Sequence, residues 1–390
     1  MSIMRSERNA AIFLLIAAAV GLLLANSAVG PLLLDAKDTH LDVPALGVSL
    51  SLGHWVSDGL LAIFFFIVAV ELKHELTAGS LNSVGKAFVP AFAAIGGILV
   101  PSVIYLIVTA GSGLSDGWPV PTATDIAFAL GVLAIFGRGL PGRVRIFLLA
   151  LAVLDDLVAI LIIAVFFTSD VNFVSLGLAA VALALFALVG SARTRNLPRG
   201  LRVTLLVLLA LVTWYLVLQS GIHATIAGVA LGLALPRRAG ARAAHVLEPY
   251  SNGIVLPLFA FAAALVAIPS VGVDQLSPAF WGILIALPVG KLLGITALGT
   301  LGQRLAASRS SAGSAKPLVL PDLLAVAMLG GIGFTVSLLM NELAFASSQE
   351  VVDEGTLAVL LGSAISIVLA AILVTARSRS YRRAKAQPGS

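Results

Sequence analysis

The sequence IFLLALAVLDDLVAILIIAVFF, residues 146–167, decides the fold class, because this apolar run carries two neighbouring carboxylates, Asp155 and Asp156, near its middle. A run of this length crosses a bilayer as one α-helix, which needs about 20 apolar residues. A carboxylate at bilayer depth costs roughly 2.5–3.5 kcal/mol on insertion scales, so two in succession require a reason. Acidic side chains at this depth usually mark an ion or proton pathway, and the pair is therefore the first candidate for the functional site.

The composition of the whole chain is that of a membrane protein. Of its 390 residues, 59% are hydrophobic and 11% are charged, and the mean hydropathy is +1.07. Soluble domains carry about 25% charged residues, so a soluble globular protein is excluded. The sequence contains no cysteine, which excludes disulfides and thiolate-bound metals or clusters.

Apolar windows of about 18–25 residues predict twelve transmembrane helices, which we number as spans 1 to 12. They cover residues 10–27, 56–76, 87–110, 121–137, 143–167, 172–192, 202–219, 222–236, 247–268, 278–302, 320–343 and 355–376. Except for Lys37 and Lys291, every lysine and arginine lies at the termini, in alternate loops or at the span ends that flank these loops. The positive-inside rule then predicts that both termini are cytoplasmic. We therefore expect an all-α polytopic protein with a single integral membrane domain, residues 1–390.

Two segments outside the spans have patterns of their own. Residues 34–54 alternate polar and apolar side chains, which predicts a small outer β-hairpin. Residues 377–390 are basic and contain Pro and Gly, which predicts a cytoplasmic tail at the membrane surface. Membrane lipid is thus an expected partner, whereas the distribution of the net charge of +5 does not indicate nucleic-acid binding, and no protein partner is predicted.

Few charged side chains remain inside the predicted spans or near their ends. They are Asp58, Glu71, Asp125, Asp155, Asp156, Lys291, Glu248 and Asp322. Adjacent residues diverge by about 100° on a helix, so Asp155 and Asp156 cannot both face one partner squarely. Either one forms a structural ion pair while the other lines a polar cavity, or both form a hard-cation site whose carboxylates alternatively hold protons. We favour the second interpretation, because acidic groups at bilayer depth are rarely without function.

Spans 4 and 11 both contain signs of an interrupted helix. In PVPTATDIAFALG, residues 119–131, two prolines precede the cap-type oxygens of Thr124 and Asp125 in the middle of span 4. The alternative is that Thr124 or Asp125 simply caps a short helix. Span 11 contains GGIGFT at residues 330–335. Interrupted helices in corresponding halves of a chain indicate an inverted repeat with the binding site between its halves.

Two further side chains are candidates, each with a structural alternative. Lys291, deep in span 10, should pair with a buried carboxylate or with the end of a half-helix, and a purely structural counter-ion is the alternative. Histidine side chains in general titrate near neutral pH, which makes His223 a candidate pH sensor, although a surface histidine or one that only caps a helix is at least as good an interpretation.

The sequence contains no Walker A, HExxH or GxSxG motif, so no energy source other than an ion gradient is indicated. Two intramembrane aspartates, such as Asp125 and Asp156, are also the requirement of an intramembrane aspartyl protease. Against this alternative, no GxGD motif surrounds any aspartate, and Lys291 would hold one carboxylate ionised when a dyad must share a proton.

Six segments along the chain resemble hallmark segments of the NhaA family of Na⁺/H⁺ antiporters, in order and at matching spacing. They are TATDIAFALG at 122–131, LDDL at 154–157, SGIHATIAG at 220–228, LPLFAFA at 256–262, GKLLGI at 290–295 and GIGFTVS at 331–337. Inverted-topology repeats are already known in this family. The resemblance covers essentially the whole chain.

The resemblance implies a fold with inverted repeats, spans 3–5 and 10–12, whose interrupted spans 4 and 11 cross. Asp155 and Asp156 would bind Na⁺ or Li⁺ and carry protons, with Thr124 and Asp125 beside them. Asp125 and Lys291 would balance the half-helix dipoles, and Lys291 would pair with Asp155. The transported ions are Na⁺ or Li⁺ and H⁺, and no cofactor or catalytic residue is implied. A K⁺/H⁺ antiporter remains an alternative.

The resemblance also implies electrogenic, pH-regulated transport in a bacterial inner membrane and homodimers that form through the outer hairpin. The candidate pH-sensing residues are His223, Glu71, Lys73, Glu75 and Glu248. Three residues depart from the family pattern: His74 replaces an Arg, Ala244 a Glu and Ala263 an Asn. All three lie near the expected pH sensor or the periphery, so the transport site is expected to be retained more fully than the pH profile.

Overall fold

The computed structural model describes residues 7–44, 47–79, 81–168, 171–191, 196–268, 272, 275–309 and 317–386, and these are almost entirely helical. The helices are α1 Glu7–Ala25, α2 Gly30–Asp38, α3 Leu52–Thr77, α4 Val84–Val108, α5 Ile126–Phe136, α6 Gly142–Phe166, α7 Phe173–Gly190, α8 Arg199–Leu218, α9 Thr225–Ala234, α10 Arg237–Ala263, α11 Pro278–Ser308, α12 Leu320–Gly330, α13 Phe334–Ala344 and α14 Gln349–Ala386. Two 3₁₀ turns, Ser115–Gly117 and Val120–Thr122, precede α5.

The described helices confirm a multi-pass membrane protein. Ten helical segments are long and apolar enough to cross a membrane, and the bent pair α12 and α13 makes an eleventh. Predicted span 8 corresponds to α9, which is apolar but has only 10 residues. Each of the twelve predicted spans therefore coincides with a helix or with an interrupted helix, although α9 is short for a complete crossing.

Two predicted boundaries differ from the structure. Helix α10 begins at Arg237, so the basic residues assigned to the loop before span 9 lie on its first turns. Helix α14 continues to Ala386, so most of the predicted tail at 377–390 is helical; residues 387–390 lie outside the described residues. Neither proline nor glycine occurs between Gly362 and Pro388, and Ala and Arg favour helix, so nothing ends α14 at the membrane surface.

The predicted hairpin at 34–54 is confirmed in a shorter form. Strands β1 His40–Val43 and β2 Val48–Ser51 pair antiparallel, with His40 opposite Ser51 and Val43 opposite Val48. Gly47, at the turn, has a φ of 60°, a conformation that glycine adopts without strain. The flanking residues of the predicted segment belong to α2 and α3.

The helices of spans 3–5 and 10–12 pack in equivalent ways. Helix α4 packs on α6 in the first group as α11 packs on α14 in the second, and α4 and α11 pack on each other. At that contact Gly96 and Gly294 let the two backbones approach, because a Cβ on either glycine would collide with the carbonyl oxygen of the other. This packing places both interrupted spans beside α6, which carries Asp155 and Asp156.

Candidate cation site at the crossing of two interrupted helices

The first interruption lies between the 3₁₀ turn at Val120–Thr122 and the start of α5. Ala123 has an extended backbone, with φ −79° and ψ 153°, and Asp125 is the N-cap of α5. The Asp125 side chain accepts a hydrogen bond from the backbone N–H of Phe128 at 3.0 Å. Both alternatives considered for the sequence therefore hold: Asp125 caps α5, and α5 is the second half of an interrupted span.

The second interruption lies between α12 and α13, whose axes are bent by 47°. Close packing explains the glycines here. A Cβ on Gly331 would lie 2.8 Å from Ser366 Oγ, and a Cβ on Gly333 would lie 2.8 Å from Leu287 Cδ2. The two glycines thus allow close packing at the break, which leaves the end of one half-helix and the start of the other facing span 4.

Four hydrogen bonds join the two interruptions where they cross. The Asp125 N–H donates to the Ile332 carbonyl at 2.6 Å, and the Thr124 hydroxyl donates to the Gly330 carbonyl at 2.7 Å. Asp125 Oδ2 accepts from the Thr335 hydroxyl at 2.6 Å and from the Thr335 N–H at 3.2 Å. Asp125 therefore places its carboxylate at the N-termini of both α5 and α13, where the helix dipoles favour negative charge.

Lys291 lies on the other side of the crossing and is 1% exposed. Its ammonium group lies 2.7 Å from Asp155 Oδ2 and 3.0 Å from Thr124 Oγ1, and it also donates to the Thr122 carbonyl. That carbonyl belongs to the last residue of the 3₁₀ turn, where cations are favoured. Lys291 is thus paired with one aspartate of α6 and with the end of a helical turn.

Asp155 and Asp156 are both buried, with exposed fractions of 3% and 5%. Asp155 Oδ1 and Asp156 Oδ1 accept no hydrogen bond from the residues that the structure describes. A buried carboxylate oxygen without a donor carries a large desolvation cost, which a bound proton or cation relieves. Within the described ranges no three His, Asp or Glu side chains form a metal cluster, so further oxygens would have to come from groups such as the Thr124 hydroxyl.

The candidate pH-sensing residues lie on α3, on α10 and just before α9. His223 Nδ1 lies 2.9 Å from Asp58 Oδ1, and Lys73 donates to the carbonyls of Leu233 and Leu235 at 2.7 Å each, so it caps the end of α9. Glu71 and Glu75 lie on the same end of α3, and Glu248 Oε2 lies 4.0 Å from His245 Nδ1 on α10. Their role in pH sensing stays a prediction.

Two hydroxyl groups at the crossing were not among the candidates from the sequence. Thr335 binds Asp125, and Ser337 donates to the Val120 carbonyl at 2.7 Å. Both follow the glycines of span 11. The signal that would have identified them is a hydroxyl residue in the first turn after a helix break. The backbone N–H groups of that turn are unpaired and attract a polar partner, and a neighbouring hydroxyl can bind the same partner.

Comparison with known proteins assigns the family. The family model described as Na⁺/H⁺ antiporter 1 matches residues 1–374. The chain is 66% identical to Na⁺/H⁺ antiporter NhaA 2 of Clavibacter michiganensis subsp. michiganensis (strain NCPPB 382), over 99% of this chain and 94% of the relative. It is 49% identical to Na⁺/H⁺ antiporter NhaA of Tropheryma whipplei (strain Twist), over 100% of this chain and 98% of the relative. It is 45% identical to Na⁺/H⁺ antiporter NhaA 3 of Streptomyces coelicolor, over 97% of this chain and 80% of the relative. The chain, with its two crossed interruptions beside a buried aspartate pair, belongs to the Na⁺/H⁺ antiporter 1 family.

Proposed function

We propose that this protein exports Na⁺ or Li⁺ in exchange for protons, with Asp155 and Asp156 as the groups that alternately hold cation and protons. Membership of the family makes it a Na⁺/H⁺ antiporter and not an enzyme, and the K⁺/H⁺ alternative is not favoured. The assignment of residues to steps and the electrogenic stoichiometry are our proposal from the balance of buried charges, and the export direction is our proposal from the family resemblance.

The observation that carries the proposal is that Asp156 is the buried acid at the crossing without a fixed counter-charge among the described residues. Asp125 is compensated by hydrogen bonds at two helix N-termini, and Asp155 is compensated by Lys291 at 2.7 Å. Asp156 Oδ1 has no hydrogen-bond partner within the described ranges. An ionised carboxylate cannot remain buried without compensation, so Asp156 should hold either a proton or an exchangeable cation.

Asp155 gives the exchange its coupling. Its Oδ1 is free of hydrogen bonds in the described structure while its Oδ2 is held by Lys291, so a cation between Asp155 and Asp156 would compete with the lysine for the same carboxylate. One proton leaves Asp156 and a second leaves the Asp155–Lys291 pair when the cation displaces the lysine, so two protons exchange for one monovalent cation and net charge crosses the membrane. We therefore expect the exchange to be electrogenic.

The remaining parts of the proposal concern the cellular setting. The distribution of lysine and arginine supports cytoplasmic termini, and the family supports a bacterial inner membrane and a role in sodium and pH homeostasis. Residues 40–42 of β1 are exposed, and we propose that the small sheet of β1 and β2 contributes to a homodimer contact through this strand.

The experiment is a cation screen in inverted membrane vesicles. A pH gradient is imposed by respiration, and Na⁺, Li⁺ or K⁺ is added while an acridine dye reports internal pH. We expect Na⁺ and Li⁺ to dissipate the gradient, and vesicles without the protein serve as the control. Dissipation by K⁺ but not by Na⁺ would overturn the proposed substrate.

A further inference from the structure

A second network of buried charges lies at the other end of α12 from the crossing. Asp322, in the first turn of α12, is 0% exposed. Its Oδ1 accepts from Arg377 Nε at 2.9 Å, and its Oδ2 accepts from the Tyr381 hydroxyl at 2.6 Å. Arg143 Nη2 donates to the same hydroxyl at 3.1 Å and lies 3.8 Å from Asp322 Oδ2. We call these four residues the Asp322 network.

The network joins three helices, two of which carry the candidate cation site. Asp322 belongs to α12, whose last residue, Gly330, accepts the hydrogen bond of Thr124. Arg143 belongs to the first turn of α6, the helix of Asp155 and Asp156. Arg377 and Tyr381 belong to the extension of α14 beyond the last predicted span, and the Arg377 guanidinium lies 5.0 Å from the centre of the Tyr381 ring. The basic segment predicted as a surface tail is thus partly built into the helical body.

Helix α12 is a half-helix that packs on α11, α14 and α6, and the Asp322 network anchors its first turn. Its continuation into α13 is broken, so the rest of span 11 does not fix its orientation. Asp322 and Gly330 are separated by eight residues, or about 12 Å of a rigid helix, so a shift at Asp322 is carried to the Gly330 carbonyl. From there a chain of short contacts leads through Thr124 and Lys291 to Asp155.

We propose that Asp322 is a positioning residue for Na⁺/H⁺ exchange, acting with Arg377, Tyr381 and Arg143 to hold α12 in register with α6. The proposal rests on the assignment of the cation site to Asp155 and Asp156. A buried ion pair gains little stability over an apolar replacement, and its attested use is to fix one register of packed elements. In this protein the fixed register sets where the Gly330 carbonyl and Thr124 stand relative to the aspartates.

The test compares three variants in vesicles at equal protein content. Asp322→Asn removes the buried charge, Tyr381→Phe removes only one hydroxyl, and Arg383→Gln, on the exposed face of the same extension, is the matched control. We expect Asp322→Asn and Tyr381→Phe to raise the apparent KM for Na⁺ by about 2- to 30-fold, with the larger increase for Asp322→Asn. Both variants should also displace the pH profile of exchange. The control should match the unmodified protein.

Thermal unfolding in detergent separates positioning from folding. If Asp322→Asn fails to fold, Tyr381→Phe decides, because it keeps every charge and loses one hydrogen-bonding group. Variants that lower only the unfolding temperature, with the apparent KM and the pH profile unchanged, would show a merely structural network and overturn the inference. That result leaves the proposed function standing, whereas the proposed function fails on its own if Asp156→Asn retains exchange.

Discussion

The hydroxyl of Thr335 provides a direct test of the crossing, because it is the shortest side-chain contact between the two interrupted spans that the structure describes. It donates to Asp125 Oδ2 at 2.6 Å, and Thr335 is 3% exposed. Thr335→Val keeps the shape of the side chain and removes the donor. The carboxylate retains the N–H groups of Phe128 and Thr335, at 3.0 and 3.2 Å, so the variant should still fold.

The expected magnitude follows from the charge of the acceptor. A hydrogen bond to a charged group contributes about 1.5–3 kcal/mol, more than the roughly 1 kcal/mol of a neutral one, and water cannot replace the donor at a buried site. We therefore expect Thr335→Val to lower the free energy of unfolding by about 1.5–3 kcal/mol. Because α5 and α13 are held together through Asp125, the apparent KM for Na⁺ should rise in the same variant.

The assay is thermal unfolding in detergent together with Na⁺-dependent exchange in vesicles. Thr335→Ser keeps the hydroxyl, so its free energy of unfolding and its apparent KM for Na⁺ should be close to those of the unmodified protein. Thr213→Val is the matched control, since Thr213 is equally buried and donates at 2.7 Å only to the Leu209 carbonyl of its own helix. Equal, small effects of Thr335→Val and Thr213→Val would refute the reasoning that Asp125 joins the two spans.

Three further outcomes are expected. An imposed potential, set with valinomycin and K⁺, should change the rate of exchange; a rate that ignores the potential would indicate electroneutral exchange and a single proton carrier. Lys291→Arg should retain impaired exchange with an altered pH dependence, because the positive charge beside Asp155 survives while guanidinium does not lose its proton; unmodified activity and pH profile would show that the lysine has no such role. Gly294→Ala should lower the unfolding temperature because its methyl group would collide with Gly96, whereas Gly177→Ala, which meets no atom within 4 Å, should not; equal effects would refute the packing argument.

The sequence predicts the spans and the crossing because their signals are local. Length and hydropathy identify spans directly. The prolines before Thr124 and the glycines after Met328 indicate breaks because they occur in corresponding spans and, in span 4, beside cap-type oxygens, whereas Pro90 and Pro101 lie inside the unbroken α4. Asp125, Asp155 and Lys291 stand out as charges at bilayer depth, and a lysine at that depth is expected to pair with a carboxylate or with a half-helix end. This much of the site follows from residue type and position, whereas the choice of Asp155 as the partner is implied by the family resemblance.

The partners that lie far apart in the chain do not follow from local signals. Asp322 and Tyr381 are separated by 59 residues, and neither has a pattern that indicates the other. The extension of α14 looks like a solvated tail because its arginines are typical of a membrane surface, and only the packing against α12 and α6 reveals its contacts. Lys73 likewise resembles a surface residue until the carbonyls at the end of α9 are seen to bind it.

The most direct test of the account is Na⁺-dependent proton movement in vesicles that contain Asp156→Asn. Asparagine keeps the volume of the side chain and removes both its charge and its titration, so the buried oxygen no longer requires a proton or a cation. Glu350→Gln, an exposed acid in the first turn of α14, is the control for the loss of one negative charge. The account predicts no Na⁺-dependent proton movement in Asp156→Asn at unmodified protein levels and full activity in the control; substantial exchange in Asp156→Asn would contradict it.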